Sequence, residues 1–437
     1  VNLKFRKHLA IAAAALVGVV LTCALTWVLY PRPVFHPEDL LPADDTLILL
    51  QNINRTLVVI LEKRVPVLAT LPAYKNGASA ALVSLPGGKR AWILFEPPAQ
   101  PGIDRPTIRA TDPAAMTLLA GQTPRLQSDP SFAPLAETTN DVPSWIFLRF
   151  RDLPGVETQG MLHIPDEPVL IGLTKNGLQI AVHGNDARTG TLRSGVVVAE
   201  PRPFLIVQAA DLRTFITGAG SALDSTLRPV LQGLLEQAVH DLFGSDVSAR
   251  YDLLPLTQHE SAVQIAQSDS GWLVAFSGST DDADTLEDAT DRLHAARRSM
   301  LQSVKRIDRR LDDQFSILSV SADETVIREE EGRDGLWRIR STSRGNAGLF
   351  SAERGNQFVL SNDQRMLQSI IRRNTPGLPP DLSKASASGF MDIAATNAIL
   401  KDYLPDAAGE GIPLAGSGGI VQWNLRSRGD VKILTIR

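Results

Sequence analysis

The stretch Ala262–Phe276, AVQIAQSDSGWLVAF, reads as two strands folded back on each other about a turn at Ser268–Gly271, with Trp272 opening the return strand. The stretch Ala80–Phe95, AALVSLPGGKRAWILF, has the same build, turning at Pro86-Gly87-Gly88-Lys89 and returning on Trp92. A hairpin joins antiparallel neighbours, so both stretches argue for an antiparallel sheet rather than a doubly wound parallel one.

Further landmarks flank each hairpin in the same order. Before it, a strand runs into Asn or Asp followed by Ile or Leu: Thr46–Leu50 lead to Asn52-Ile53, and Phe204–Val207 lead to Asp211-Leu212. After it comes a strand ending in a polar residue and Asp, then a short amphipathic helix. This is Ile108–Asp112 with Met116, Leu118 and Leu119, and Val359–Asp363 with Met366, Leu367, Ile370 and Ile371. Trp145–Phe150 then reach Asp152-Leu153, and Phe390 precedes Asp392-Ile393. Each set closes on a hairpin, Val169–Thr174 with Leu178–Val182, and Ile420–Leu425 with Val431–Ile436. The order predicts an α+β fold of two copies of an antiparallel sheet-plus-helix unit, 42–199 and 200–437.

The second copy is longer between Trp272 and Asp363, where a helix is expected over 281–311. Ser279 or Thr280 can cap it, and Leu286, Leu293, Met300 and Ile307 recur every seven residues, with Ala289, Ala296, Val304 and Leu311 beside them. Asp281, Asp282, Asp284, Glu287, Asp288 and Asp291 crowd its start, and Lys305, Arg306, Arg309 and Arg310 its end, matching the helix dipole. Thr290 and Arg297 interrupt the second apolar row, which favours packing on its own sheet over a coiled-coil surface. Behind the helix, Phe315–Val320 and Thr325–Arg328 read as an antiparallel pair continuing through Trp337–Ser341.

At the other end of the chain, Lys4, Arg6 and Lys7 precede a run without charge, Leu9–Tyr30. About 1.5 Å of rise per residue lets a helix of this length cross a bilayer core of about 30 Å. The expectation is a cytoplasmic segment 1–8, a transmembrane signal anchor 9–30 embedded in the lipid bilayer, a linker 31–41, and a body outside the cytoplasm at a bacterial inner membrane. Cleavage as a signal peptide is the competing reading, but Thr26–Tyr30 lacks a small-x-small site. Cys23, the one cysteine, falls inside this run, so the body has no thiol chemistry.

Composition narrows the function further. The 437 residues are 43% apolar with a net charge of −4, which fits neither a disordered chain nor a general nucleic-acid binder. The histidines at 8, 36, 163, 183, 240, 259 and 294 show no metal-ligand spacing. Gly416-Ser417-Gly418-Gly419 has its serine one place off a nucleophile elbow, and Gly218-Ala219-Gly220-Ser221 lacks the P-loop lysine. His240-Asp241 and His259-Glu260 would need a third group to do acid–base work. Asp281, Asp282 and Asp284 read as solvated first-turn carboxylates, and Asp323-Glu324 with Glu329-Glu330-Glu331 as a charged hairpin edge. Asn52, Asp152, Asp211 and Asp392 read as helix caps. No catalytic, cofactor-binding or metal residue is assigned.

Leu41-Pro42-Ala43-Asp44-Asp45-Thr46, Ser128–Phe132 and Val359–Arg373 (VLSNDQRMLQSIIRR) resemble phrases of an uncharacterised bacterial family of membrane-anchored extracytoplasmic proteins. The resemblance implies a repeated α+β fold and carries over no catalytic residue. The function expected is a scaffold, chaperone-like or protein-interaction module of the cell envelope, whose partner is another envelope protein. A hydrolase with a site assembled from distant residues, or a protein binding an apolar ligand, is the alternative.

Overall fold

The computed structural model of the chain describes residues 36–62, 65–75, 77–97, 106–121, 123–139, 142–153, 167–174, 177–184, 190–215, 239, 243, 247–248, 252–268, 271–310, 316–323, 327–345, 347–373, 382–395 and 419–437. They fall into two compact units, one running to Glu62 and over Leu68–Ala133, the other comprising Lys63–Val67 and Pro134–Arg437.

The first unit is built on a four-stranded antiparallel meander. Strand β1 (Thr46–Gln51) pairs with β2 (Ser79–Leu85), β2 with β3 (Lys89–Glu96), and β3 with β4 (Thr107–Ala110). Ile48, Leu49 and Leu50 are all buried, as are Ile93, Leu94 and Phe95, so β1 and β3 are covered on both faces. Helix α1 (Arg55–Glu62) starts on Asn54, whose side-chain oxygen accepts from Thr56 N at 2.9 Å and Leu57 N at 3.4 Å. Helix α2 (Pro113–Ala120) starts on Asp112, which accepts from Ala114 N at 2.8 Å, with Pro113 at a position that needs no N–H donor.

The second unit contains a long antiparallel ladder. Its first strands are β5 (Ser144–Leu148), β6 (Val169–Thr174), β7 (Gly177–His183), β8 (Leu205–Ala209), β9 (Ser261–Ser268) and β10 (Gly271–Ser279). Helix α3 (Ala283–Leu301) and a ribbon of β11 (Ser303–Arg310) and β12 (Ser316–Asp323) follow. Then come β13 (Arg328–Asp334), β14 (Trp337–Arg344), β15 (Ala347–Arg354), β16 (Gln357–Ser361), helix α4 (Gln364–Arg372), β17 (Ala385–Asp392), β18 (Ile420–Arg428) and β19 (Val431–Ile436). Apart from the ribbon, these strands pair in the order β5, β6, β7, β19, β18, β17, β8, β9, β10, β16, β15, β14, β13.

Strand alternation sends neighbouring side chains of β15 and β16 to opposite faces. Leu349, Phe358 and Leu360 join Leu286, Ala289, Leu293 and Ala296 of α3 in one core. Phe350, Ala352 and Val359 join Met366, Leu367 and Ile370 of α4 in another. This end of the ladder is therefore a helix–sheet–helix sandwich, with α3 on one side and α4 on the other.

These findings correct the expected architecture. The hairpins form where their turns predict them, but the body does not resolve into two repeated sheet-plus-helix units. Thirteen strands run as one ladder, and β7, assigned to the first copy, pairs directly with β19 of the second, from Val431↔His183 to Ile436↔Leu178. A transmembrane helix is likewise not found: among the described residues no helix is long and apolar enough to cross a membrane, and 9–30 itself lies outside them.

The helix expected over 281–311 ends at Leu301, because Gln302 turns to an extended ψ of 119° and 303–310 forms β11. The pair expected at Phe315–Val320 and Thr325–Arg328 is also replaced. β12 pairs with β11, and β13 pairs with β14.

Candidate functional site

The ladder's last strands and α3 bring together a set of buried and ion-paired polar side chains. Asp282 caps α3, accepting from Asp284 N at 3.1 Å and from Thr285 N at 3.3 Å and its hydroxyl at 2.7 Å. The Thr285 hydroxyl, more than the two backbone bonds, holds this carboxyl below the ordinary Asp range. From that cap the helix turns Leu286, Ala289, Thr290, Leu293, His294, Ala296, Arg297 and Leu301 inward. Thr290 and Arg297, which look like interruptions of an apolar row, therefore lie on the packed face, whereas Met300 is exposed.

Buried polar groups need partners, and the imidazole of α3 finds them on β14 and β15. His294 Nδ1 lies 2.9 Å from Thr342 Oγ1 and His294 Nε2 lies 2.8 Å from Ser351 Oγ. Thr290 donates its hydroxyl to Leu286 O at 2.8 Å. Burial of Glu353 raises its carboxyl above the ordinary range, against the lowering effects of the Thr290 hydroxyl, Arg338 and Arg340.

Around this buried row runs an exposed rim of ion pairs. Arg338 bonds Glu287 at 2.8 Å and Glu331 at 2.6 Å, which raises its own pKa and lowers that of Glu331. Arg340 bonds Asp291, and Arg298 bonds Glu329 at 2.6 Å. Exposed pairs of this kind stabilise little individually, but together they tie α3 to β13 and β14.

β13 is the terminal strand of the ladder. Arg328 to Arg333 are all exposed, and among the described residues its second edge pairs with no strand. Glu329 and Glu331 face α3, while Asp334 bonds Arg372 of α4 at 2.9 Å, so the edge is held from both faces. Asp334 pairs with Trp337 across a two-residue turn, with Gly335 at φ 61° and Leu336 82% exposed. Arg354 sits over the Trp337 ring, 4.7 Å from its centre.

The residues singled out by sequence do not converge. His259 pairs with Asp281 at 3.1 Å, while Glu260 turns to another task. Its carboxylate accepts from Arg193 N at 2.9 Å, Ser194 N at 3.1 Å, the Ser194 hydroxyl at 2.9 Å and Gln208 Nε2 at 2.8 Å. Asp211 and Asp392 cap as expected, accepting from Thr214 N and Ala395 N. Asn52 does not; it takes φ 53°, and Asn54 caps α1 instead. Asp152 closes a short 3-10 turn, Phe150–Asp152. His240, Asp241, 218–221 and 416–418 lie outside the described residues. Among the described residues no group of three or more His, Cys, Asp or Glu could hold a metal ion.

Sequence reasoning missed His294, because its partners lie 48 and 57 residues away. Ser351 and His294 have nucleophile–base spacing, yet three features argue for a structural role. Both residues are buried, the third member is a hydroxyl instead of a carboxylate, and burial pushes the imidazole down to about 4, too weak a base at neutral pH. A shallow hollow of about 290 Å³ is lined by Val247, Asp252, Arg292, Ala295 and Ala296.

No family model, curated protein or solved structure matches the chain.

Proposed function

We propose that this protein is a non-catalytic interaction module, of scaffold or chaperone-like type, that binds other polypeptide at the β13 edge. One observation carries the reading: a ladder of thirteen strands ends on a strand exposed from Arg328 to Arg333 whose second edge is unpaired among the described residues. Exposed backbone donors and acceptors in a row are a template for an added strand. Ion pairs to α3 and α4 keep that template extended, which lowers the ordering cost of binding.

The test is a photo-crosslinking residue placed in the full chain at Glu330, at Leu336 and, as a control, at exposed Lys89 of the first unit. Adducts to polypeptide at Glu330 and Leu336, with none at Lys89, are expected. Equal labelling at all three positions, or none at any, overturns the proposal.

A further inference from the structure

The ribbon β11–β12 lies in the chain between the end of α3 and the start of β13, yet it forms a sheet of its own. Its eight paired positions run from Ser303↔Asp323 to Arg310↔Ser316, and among the described residues neither strand pairs with the main ladder. A lone two-stranded ribbon is at best marginally stable in water, so it gains from joining a larger sheet. Close to it in sequence, β13 offers an open edge.

Charge selects the pairing. β13 carries Glu329, Glu330, Glu331 and Asp334 against Arg328 and Arg333, while β11 carries Lys305, Arg306, Arg309 and Arg310 against Asp308. Two β13 edges each carry more carboxylates than guanidinium groups and so repel on balance, whereas β11, in which basic residues outnumber the one acid, brings a net positive strand to a net negative one.

We infer that the β11–β12 ribbon of one copy adds to the open β13 edge of a second copy, basic β11 lying along acidic β13. The inference rests on the interaction reading above and names the partner as a second copy of this chain. Reciprocal addition closes a two-fold pair, in which each copy gives a ribbon and receives one.

Disulfide trapping tests it, since Cys23→Ser leaves a full chain without cysteine. Glu330→Cys goes on one tagged chain, and Arg306→Cys or Ile307→Cys, one from each face of β11, on a differently tagged chain. Mixed and oxidised, at least one combination is expected to give a disulfide-linked heterodimer absent from the Lys89→Cys control. Reversing charge with Lys305→Glu and Arg309→Glu is expected to lower the trapped fraction about tenfold.

No heterodimer in either combination overturns the inference, as does a disulfide that forms only when both cysteines share one chain. If trapping fails while the photo-crosslinker at Glu330 still captures polypeptide, the second-copy assignment is wrong and the interaction reading survives. If both fail, both are wrong.

Discussion

His294 and Ser351 meet at 2.8 Å, ring nitrogen to hydroxyl, in a contact that joins α3 to β15 and is closed to solvent. Thr342 holds the other ring nitrogen at 2.9 Å, so a neutral imidazole, one nitrogen donating and one accepting, satisfies both hydroxyls. Burial is the main reason its pKa falls to about 4; Arg340 adds to the shift and Asp291 opposes it.

The sign of the pH effect follows from that depression. In the unfolded chain the imidazole takes a proton below about pH 6.5, whereas in the fold it stays neutral down to about 4. Its contribution to stability is complete above pH 6.5 and is lost as pH falls toward 4, by at most about 1.4 kcal/mol per pH unit. Urea unfolding of wild type and His294→Gln across this range is expected to show the shallower pH slope in the variant. Equal slopes would contradict the assignment.

Gln264 performs a comparable task for the segment 190–200. Its side-chain oxygen accepts from Ala199 N at 2.9 Å and its amide donates to Val197 O at 2.7 Å, so one side chain replaces two rungs of a ladder. Gln264→Leu keeps the bulk but strands both backbone groups, at an expected cost of about 1–3 kcal/mol each if they remain buried. Gln264→Glu keeps only the acceptor for Ala199. Hydrogen exchange should show 197–200 opening in the Leu variant and less so in the Glu variant; unchanged protection in both would refute the role.

What could be read from sequence, and what could not, divides by the range of the interaction. The Gly-bearing turn between β2 and β3 and the apolar face of α4 are local, and both formed where the pattern put them. The end of α3 has no local signal because the seven-residue spacing of Leu286, Leu293 and Met300 continues to Ile307, past the extended residue Gln302. The register of β7 on β19 joins residues about 250 apart and carries no local signal. His294 falls in the same class, an isolated histidine until β14 and β15 are folded against it. The run Glu329-Glu330-Glu331 reads as a charged hairpin edge, but that this edge ends a ladder is a property of the whole sheet.

Gly389 marks a place where the ladder has no room for a side chain. A Cβ there would run into the carbonyl oxygen of Ile206 on β8 and the ring of Trp423 on β18. Gly389→Ala therefore has to shift backbone or displace a tryptophan, and overpacking of this kind costs about 1–3 kcal/mol. Chemical denaturation should show the loss, and the Trp423 environment should change in near-UV circular dichroism. A variant as stable as wild type would show that the three strands part more easily than their contacts imply.

The turn after β13 separates residues that shape the edge from residues available to a partner. Leu336 is 82% exposed, and Glu330 is exposed as well, so Leu336→Ser and Glu330→Lys are each expected to change stability by less than about 0.5 kcal/mol. Gly335 differs, because its φ of 61° is the left-handed value that a two-residue turn with glycine in first place demands. Gly335→Ala puts a Cβ into that conformation, at an expected cost of about 1 kcal/mol without removing any side-chain contact. Thermal unfolding of the three variants should rank Gly335→Ala lowest with the other two at the wild-type value. A large loss in Leu336→Ser would mean that the leucine is packed in solution, and the tip would then be part of the core rather than a surface presented to another chain.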